Sequence, residues 1–195
     1  MRHIPLITAL SLCAVPAAAD DLALLMGVSQ YDALSRVSNG TEVVDAADDM
    51  RTAGFEVSTA TNPTAQDMRR LLNQFAQAAD DADRLVMGLS GRFVTDGTQS
   101  WFVAKDSAEP SLFGLQDTIS LDAVMRVLAQ TPGQAVLVLG YDQGDDDDLG
   151  LYMQEGIGVL DVPQGVTVVL ARPDLADAVL SDAVASPGQN IIAFV

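Results

Sequence analysis

The 195-residue chain has one cysteine and one histidine, Cys13 and His3. Both precede Asp20, in a stretch laid out like a secretory leader. Arg2 and His3 come first, an apolar run from Ile4 to Val15 follows, and Ala17-Ala18-Ala19 offers a small-residue cleavage site. The apolar run is shorter than the ~20 residues that span a bilayer. The expectation is therefore a signal peptide over 1–19 and a periplasmic or secreted domain over 20–195. Leu12 is too large for the residue ahead of a lipidated cysteine, which speaks against an anchor at Cys13. Beyond Ala19 no thiol and no imidazole remain. That removes disulfides, a cysteine nucleophile, a histidine base and a Cys/His zinc site from the cleaved chain.

Aromatic residues are scarce, at 5%, while 49% of the chain is apolar. A core of Ala, Val, Leu, Met and Ile in one domain follows. Basic residues are scarce too: 10 Lys and Arg stand against 27 Asp and Glu, a formal net charge of −17. Losing Arg2 with the leader makes that −18. Such a surface repels nucleic acid and anionic lipid and favours cations or basic partners. No Gly-rich phosphate loop follows a strand, and "GLSG" lacks the order of a serine-hydrolase elbow. No cofactor is called for.

The periodicity alternates between strand and helix. Leu22–Met26 reads as a buried first strand ending at Gly27. Thr41–Thr52 reads as a helix with Val43, Val44, Ala47 and Met50 on one face, Thr41 as its cap and Gly54 as its stop. Phe55–Ala60 is a second strand. Thr64–Ala79 is the clearest helix, capped by Thr64, with Met68, Leu71, Leu72, Phe75 and Ala79 at helical spacing. Arg84–Ser90 is a third strand. Phe93–Ala104 is a hairpin around Asp96-Gly97. Ser120–Gln130 is a helix, Gln134–Leu139 a strand, Val166–Ala171 a strand, Pro173–Val184 a helix and Asn190–Val195 a last strand. Met50, Met68, Met87, Met125 and Met153 fall at core-type positions. The pattern predicts an α/β three-layer sandwich with a mostly parallel sheet of about six strands and a short β-hairpin after strand 3.

In such sheets ligands gather at the carboxyl ends of the strands. The residues there are Ser29 and Tyr31 after the first strand, Ser90, Gly91 and Arg92 after the third, and Tyr141 and Asp142 after the fourth. Their surroundings resemble the bacterial caspase-like, metacaspase-type cysteine peptidases. Gly27, Ser29, Tyr31, Asp45, Ala46, Gly54, Phe55 and Val57 match the opening pattern of that family. Ser90, Gly91, Asp96, Gly97 and Asp106 match the stretch around its catalytic histidine, and "AVLVLGYDQGD" falls where its catalytic cysteine lies. The resemblance implies a caspase-like fold.

It also implies that Arg92 stands at the histidine position and Asp142 at the cysteine position. A guanidinium stays protonated at any ordinary pH and cannot serve as a base. The expectation is a peptidase homologue without its dyad, with no catalytic residue, binding a protein or peptide through the rim. The partner is expected to be basic, and Arg92 and Asp142 are expected to pair across the rim. Two other readings stand beside it. One is a family member with residual or altered hydrolase activity through Asp142. The other is an acidic module for calcium or basic peptides, with Asp145, Asp146, Asp147 and Asp148 as the calcium candidates.

Overall fold

The computed structural model describes residues 21–142, 149–150 and 152–185, the side chains of 183–185 excepted. The leader call at 1–19, the four aspartates at 145–148 and the strand call at Asn190–Val195 lie outside them.

Five strands form a wholly parallel sheet in the order β2-β1-β3-β7-β9. They are β1 (Asp21–Gly27), β2 (Phe55–Thr61), β3 (Leu85–Ser90), β7 (Ala135–Gly140) and β9 (Val166–Ala171). The three central strands are apolar on both faces, and β1 and β3 are buried almost end to end. That is the signature of a parallel sheet sandwiched between helices. Alternate residues serve opposite layers. Leu22, Leu24, Met26, Leu85, Met87, Leu89, Leu137 and Leu139 meet α2 (Ala65–Ala78) and α3 (Leu121–Leu128) on one side. Ala23, Leu25, Val86 and Val138 meet Val43, Met50, Val179 and Leu180 on the other. Those last four belong to the helical segment 42–52 and to α4 (Ala176–Ala185).

The five methionines read as packing are all buried. Of about six expected strands, five are present among the described residues. No helix among these residues is long and apolar enough to cross a membrane.

The hairpin after β3 is larger than the sequence predicts. β4 (Phe93–Thr95) and β5 (Ser100–Val103) pair antiparallel around Gly97 as expected. They then recruit β6 (Thr118–Ser120) and β8 (Gln154–Glu155) into a second, four-stranded sheet in the order β6-β5-β4-β8. Strands of two or three residues leave too little periodicity to be read.

A second difference lies at Thr41. Its backbone is already helical, at φ −92° and ψ −8°, and its side chain makes no capping bond. A capping residue needs extended backbone to aim its oxygen at the first turn. The segment therefore opens as a tight 3₁₀ stretch, Glu42–Ala46, and relaxes into α1 (Ala47–Thr52). Gly54 ends it at φ +97°, as the sequence suggests.

Thr64 does cap. Its backbone is extended, its hydroxyl oxygen accepts from the Asp67 amide, and the hydroxyl donates to the Asp67 carboxylate at 2.8 Å. The Thr64 hydroxyl, with help from Arg70, holds the Asp67 carboxyl below the usual carboxylate range. A lowered folded-state value stabilises the fold above the unfolded value, and that contribution is lost as pH falls through the folded one. Thr64→Ala is expected to cost about 1 kcal/mol at neutral pH. It should also flatten the acid limb of the stability profile, both read from urea denaturation across pH.

Candidate functional site

The carboxyl ends of the five strands are level. Gly27 pairs in register with Thr61 and Ser90, Ser90 with Gly140, and Gly140 with Ala171. The segments that leave this row form one rim. After β1, Asn62 organises the exit: its side-chain oxygen accepts from the amides of Ser29 and Gln30, at 2.9 and 3.0 Å. Ser29 is buried by this, and Tyr31 turns back over the sheet.

Arg92 lies under the rim rather than on it. It is 3% exposed. Its Nη1 donates to Glu155 at 2.6 Å, its Nε to the Ser35 carbonyl at 2.9 Å, and its Nη2 to the Ser35 hydroxyl. All three guanidinium nitrogens are thus engaged. Its backbone N–H donates to the Tyr31 hydroxyl at 2.7 Å, and the guanidinium lies 6.0 Å from the Tyr31 ring centre.

Strand pairing delivers Glu155. In β8 it stands opposite Val94 of β4, two residues beyond Arg92, and Gly156 then donates to the Phe93 carbonyl. Burial pushes the Tyr31 hydroxyl well above its ordinary pKa, against a smaller opposing pull from Arg92. Tyr31 therefore stays a neutral phenol that accepts from one amide.

The expected partner of Arg92 was Asp142, and the structure corrects this. Asp142 is exposed at the end of β7, and the ion pair forms with Glu155 instead. Asp142 leaves the sheet edge into water, where a carboxylate keeps its hydration. Glu155 is only 12% exposed in its side chain and is held by a strand, so it can meet a buried cation.

Of the other expected rim residues, Ser90 and Gly91 are buried, and Tyr141 is half-buried beside Phe93 in an edge-on contact. Burial raises the Tyr141 hydroxyl too, with Glu155 and Asp142 adding to the shift. Arg92 pairs with Glu155, Tyr31 and Tyr141 lie within reach of the Glu155 charge, Gly91 packs against the Tyr31 hydroxyl, and only Asp142 of the seven predicted residues faces solvent. Asp106, matched in the sequence pattern, accepts from the Ala65 amide and so tops α2.

Sequence reasoning missed Glu155, Ser35 and Asn62. One signal was available for Glu155: it is one of four glutamates among 27 acidic residues. Among the described residues no cluster of His, Cys, Asp and Glu is arranged to hold a metal ion.

The family model of the caspase domain (peptidase C14) matches residues 20–180. None of the curated proteins matches this sequence. Among solved structures, pro-sf-caspase-1 is similar at a TM-score of 0.56 and 16% identity, over 90% of this chain and 77% of that one. The Drosophila initiator caspase Dronc aligns at a TM-score of 0.47 and 12% identity, over 66% of this chain, which spans 51% of that one. The mainly parallel α/β fold is the caspase fold, as the sequence pattern implies.

Two measurements check this geometry. Arg92→Met leaves Glu155 without its ion-pair partner and is expected to cost about 3–5 kcal/mol in urea unfolding. Arg92→Met with Glu155→Leu should recover most of that loss. A single-variant cost below about 1 kcal/mol would mean the pair is solvated. Gly91 adopts φ +147°, and a Cβ there would stand 2.6 Å from the Tyr31 hydroxyl and 2.8 Å from the Val28 carbonyl. Gly91→Ala should therefore cost roughly 2 kcal/mol or more, and Tyr31→Phe,Gly91→Ala less than the sum of its parts, because the clash and the hydroxyl vanish together.

Proposed function

The chain belongs to the caspase-domain family, and from that membership we propose an exported pseudopeptidase, periplasmic or secreted, that binds a protein or peptide through the rim instead of cleaving it. The observation that carries this reading is Arg92. It takes the place that the resemblance gives to the family's histidine. Its guanidinium is permanently charged, and every nitrogen is bound to Glu155 or Ser35. A group so placed holds the fold and has no proton to exchange with a substrate.

The sequence supports the same reading. Acyl transfer by this family's route needs a thiolate and an imidazole, and residues 20–195 contain neither. The leader-like residues 1–19 support export.

On the rim Asp32, Arg36 and Asp142 are exposed beside Gln30 and Ser35, and Asp32 stands 3.9 Å from the Lys105 ammonium. The net charge of −17 belongs to the whole chain and attracts basic segments at long range, with the exposed carboxylate of Asp142 as their contact at the rim. Below it the Arg92 guanidinium is fully bonded, while the buried Ser90 hydroxyl has no hydrogen-bond partner among the described residues; at the surface of the rim, recognition rests on charge and on the half-buried Tyr141.

A displayed peptide library panned against the purified protein tests the proposal. Peptides rich in Lys and Arg should be enriched, remain uncleaved, and bind at least about tenfold more weakly to Asp142→Lys. Cleavage of a selected peptide that disappears in Asp142→Ala would establish a hydrolase and sink the pseudopeptidase reading. Binding unchanged by Asp142→Lys would move recognition away from the rim.

A further inference from the structure

Aromatic side chains are scarce in this chain, and among the described residues nearly all of them are buried or half-buried. Phe113 and Tyr152 are the exceptions, at 92% and 75% exposed. They stand on two turns that touch each other. The first is closed by the Gly114 amide, which donates to the Ser111 carbonyl at 2.8 Å and leaves Leu112 and Phe113 at the tip. The second carries Tyr152 and is closed by the Met153 amide on the Gly150 carbonyl at 3.1 Å. The Gly150 amide donates in turn to the Pro110 carbonyl at 3.0 Å, and a Cβ on Gly150 would run into Ser111.

Tyr152 is held outward against its own backbone preference. Its φ is +67°, a left-handed value that glycine or asparagine takes far more readily than tyrosine. The constraint comes from both sides. Gly150 is fastened to Pro110, and Met153 is buried against Val94, Trp101 and Val103 of the small sheet. The strain places in water a large ring that does little for the packing. Strained residues gather where a protein touches something outside its own fold.

The two tips and the rim rest on one support. The Asp32 amide donates to the Lys105 carbonyl at 3.0 Å, so the loop after β1 lies against the start of the segment that carries Phe113. Leu34, Leu115 and Leu149 all pack on the cluster that buries Met153. Glu155, two residues beyond Met153, is the partner of Arg92. Carboxylates also flank the first tip, with Glu109 before it and Asp117 after it. An apolar tip between acidic residues favours a partner whose own apolar residue is accompanied by lysine or arginine. The net charge of −17 turns away both a second copy and an anionic bilayer.

We propose that Phe113 and Tyr152 are aromatic anchors for the basic peptide bound at the rim, and that this peptide carries a large apolar residue that packs on them. The proposal rests on the rim reading and adds a second requirement to the partner. Charge draws the peptide to this side, and contact with exposed aromatic rings holds it. An extended segment of about ten residues reaches ~33 Å, enough to cross one face of a domain this size.

The probe is a Lys- and Arg-rich peptide enriched from the displayed library, labelled with a fluorophore, together with a copy whose large apolar residues are changed to serine. Fluorescence anisotropy gives the Kd of both peptides on the unsubstituted protein, Phe113→Ser, Tyr152→Asn and Asp142→Lys. Phe113→Ser and Tyr152→Asn should each weaken the selected peptide about tenfold. The serine copy should bind more weakly from the start and be nearly indifferent to both substitutions, as groups in contact are not additive. In urea, Phe113→Ser should unfold at an unchanged midpoint and Tyr152→Asn at the same or a higher one, because neither ring is packed and asparagine relieves the strain.

A selected peptide weakened by Asp142→Lys and by neither tip variant leaves the rim reading standing and overturns this one. A library that enriches no basic peptide overturns both. Midpoints that fall in both tip variants would make these rings part of the packing and overturn the proposal. Binding to phosphatidylcholine vesicles that is lost in Phe113→Ser assigns the tips to lipid, and dimers in sedimentation that are lost in Phe113→Ser assign them to a second copy. Either result overturns the proposal.

Discussion

The level ending of the parallel strands is the constraint on which the site depends. Thr61, Gly27, Ser90, Gly140 and Ala171 face one another along the last row of the sheet. All five are small. A Cβ on Gly140 would stand 2.5 Å from the Ser90 hydroxyl, and one on Gly27 would stand 2.5 Å from the Gly40 carbonyl. Small residues thus let the departing loops fold down onto the strand ends. Because every strand stops at the same height, the segments after β1, β3 and β7 emerge side by side. A slip of one residue in any strand would turn its apolar faces around and scatter the rim.

Arg92 works within that constraint as a tie between two sheets. Removing a guanidinium from water is costly, and a single carboxylate rarely offsets the whole cost. Here the remaining donors reach the Ser35 carbonyl and hydroxyl, so no guanidinium nitrogen is left without an acceptor. The ties radiate in three directions. Glu155 binds β8, Ser35 binds the loop after β1, and the backbone N–H binds Tyr31. The outer strand β8 of the small antiparallel sheet is therefore held to the segment between β3 and β4 by this ion pair as well as by its backbone pairing with β4. An arginine in this role specifies where the elements meet, and lysine, with one nitrogen and no planar fork, could not take its place.

The layers of this fold were legible in the sequence because they rest on repeated local signals. β1, β3 and β7 are unbroken apolar runs, and α2 combines a Thr64 cap with a clean helical stripe. The site was legible only in part. Tyr31, Gly91, Arg92 and Tyr141 were found because they follow strands. Glu155 was not, since it lies 63 residues from Arg92 and sits in a two-residue strand. Its position is set by pairing with β4, a non-local contact that no local pattern records. The same reason explains the mistaken pairing with Asp142. Adjacent strand ends suggested the nearest aspartate, but burial selects a carboxylate that can be desolvated and held, and Asp142 is neither. Thr41 shows the reverse case, a residue of the right type whose backbone was already committed to a helix.

The rim and the outer edge of the parallel sheet answer to different forces. At the rim, Asp32 and Asp142 act through charge in water, where salt screens them over ~8–10 Å. The pull of these carboxylates on a basic group would weaken as ionic strength rises. At β9, by contrast, the exposed surface is Leu170 and Leu175, and its attraction for apolar groups survives salt. Tyr141 touches both, with its ring against Phe93 and its flank in an apolar groove beside Leu170. Between the loop after β1 and the end of β7 the exposed described residues include Gln30, Asp32, Ser35, Arg36 and Asp142. A segment crossing there would meet Asp142 on one side, Arg36 and the Asp32–Lys105 pair on the other, and Arg92 in the floor. In that floor the Arg92 guanidinium is held by Glu155 and Ser35, so its charge is already balanced from within the fold.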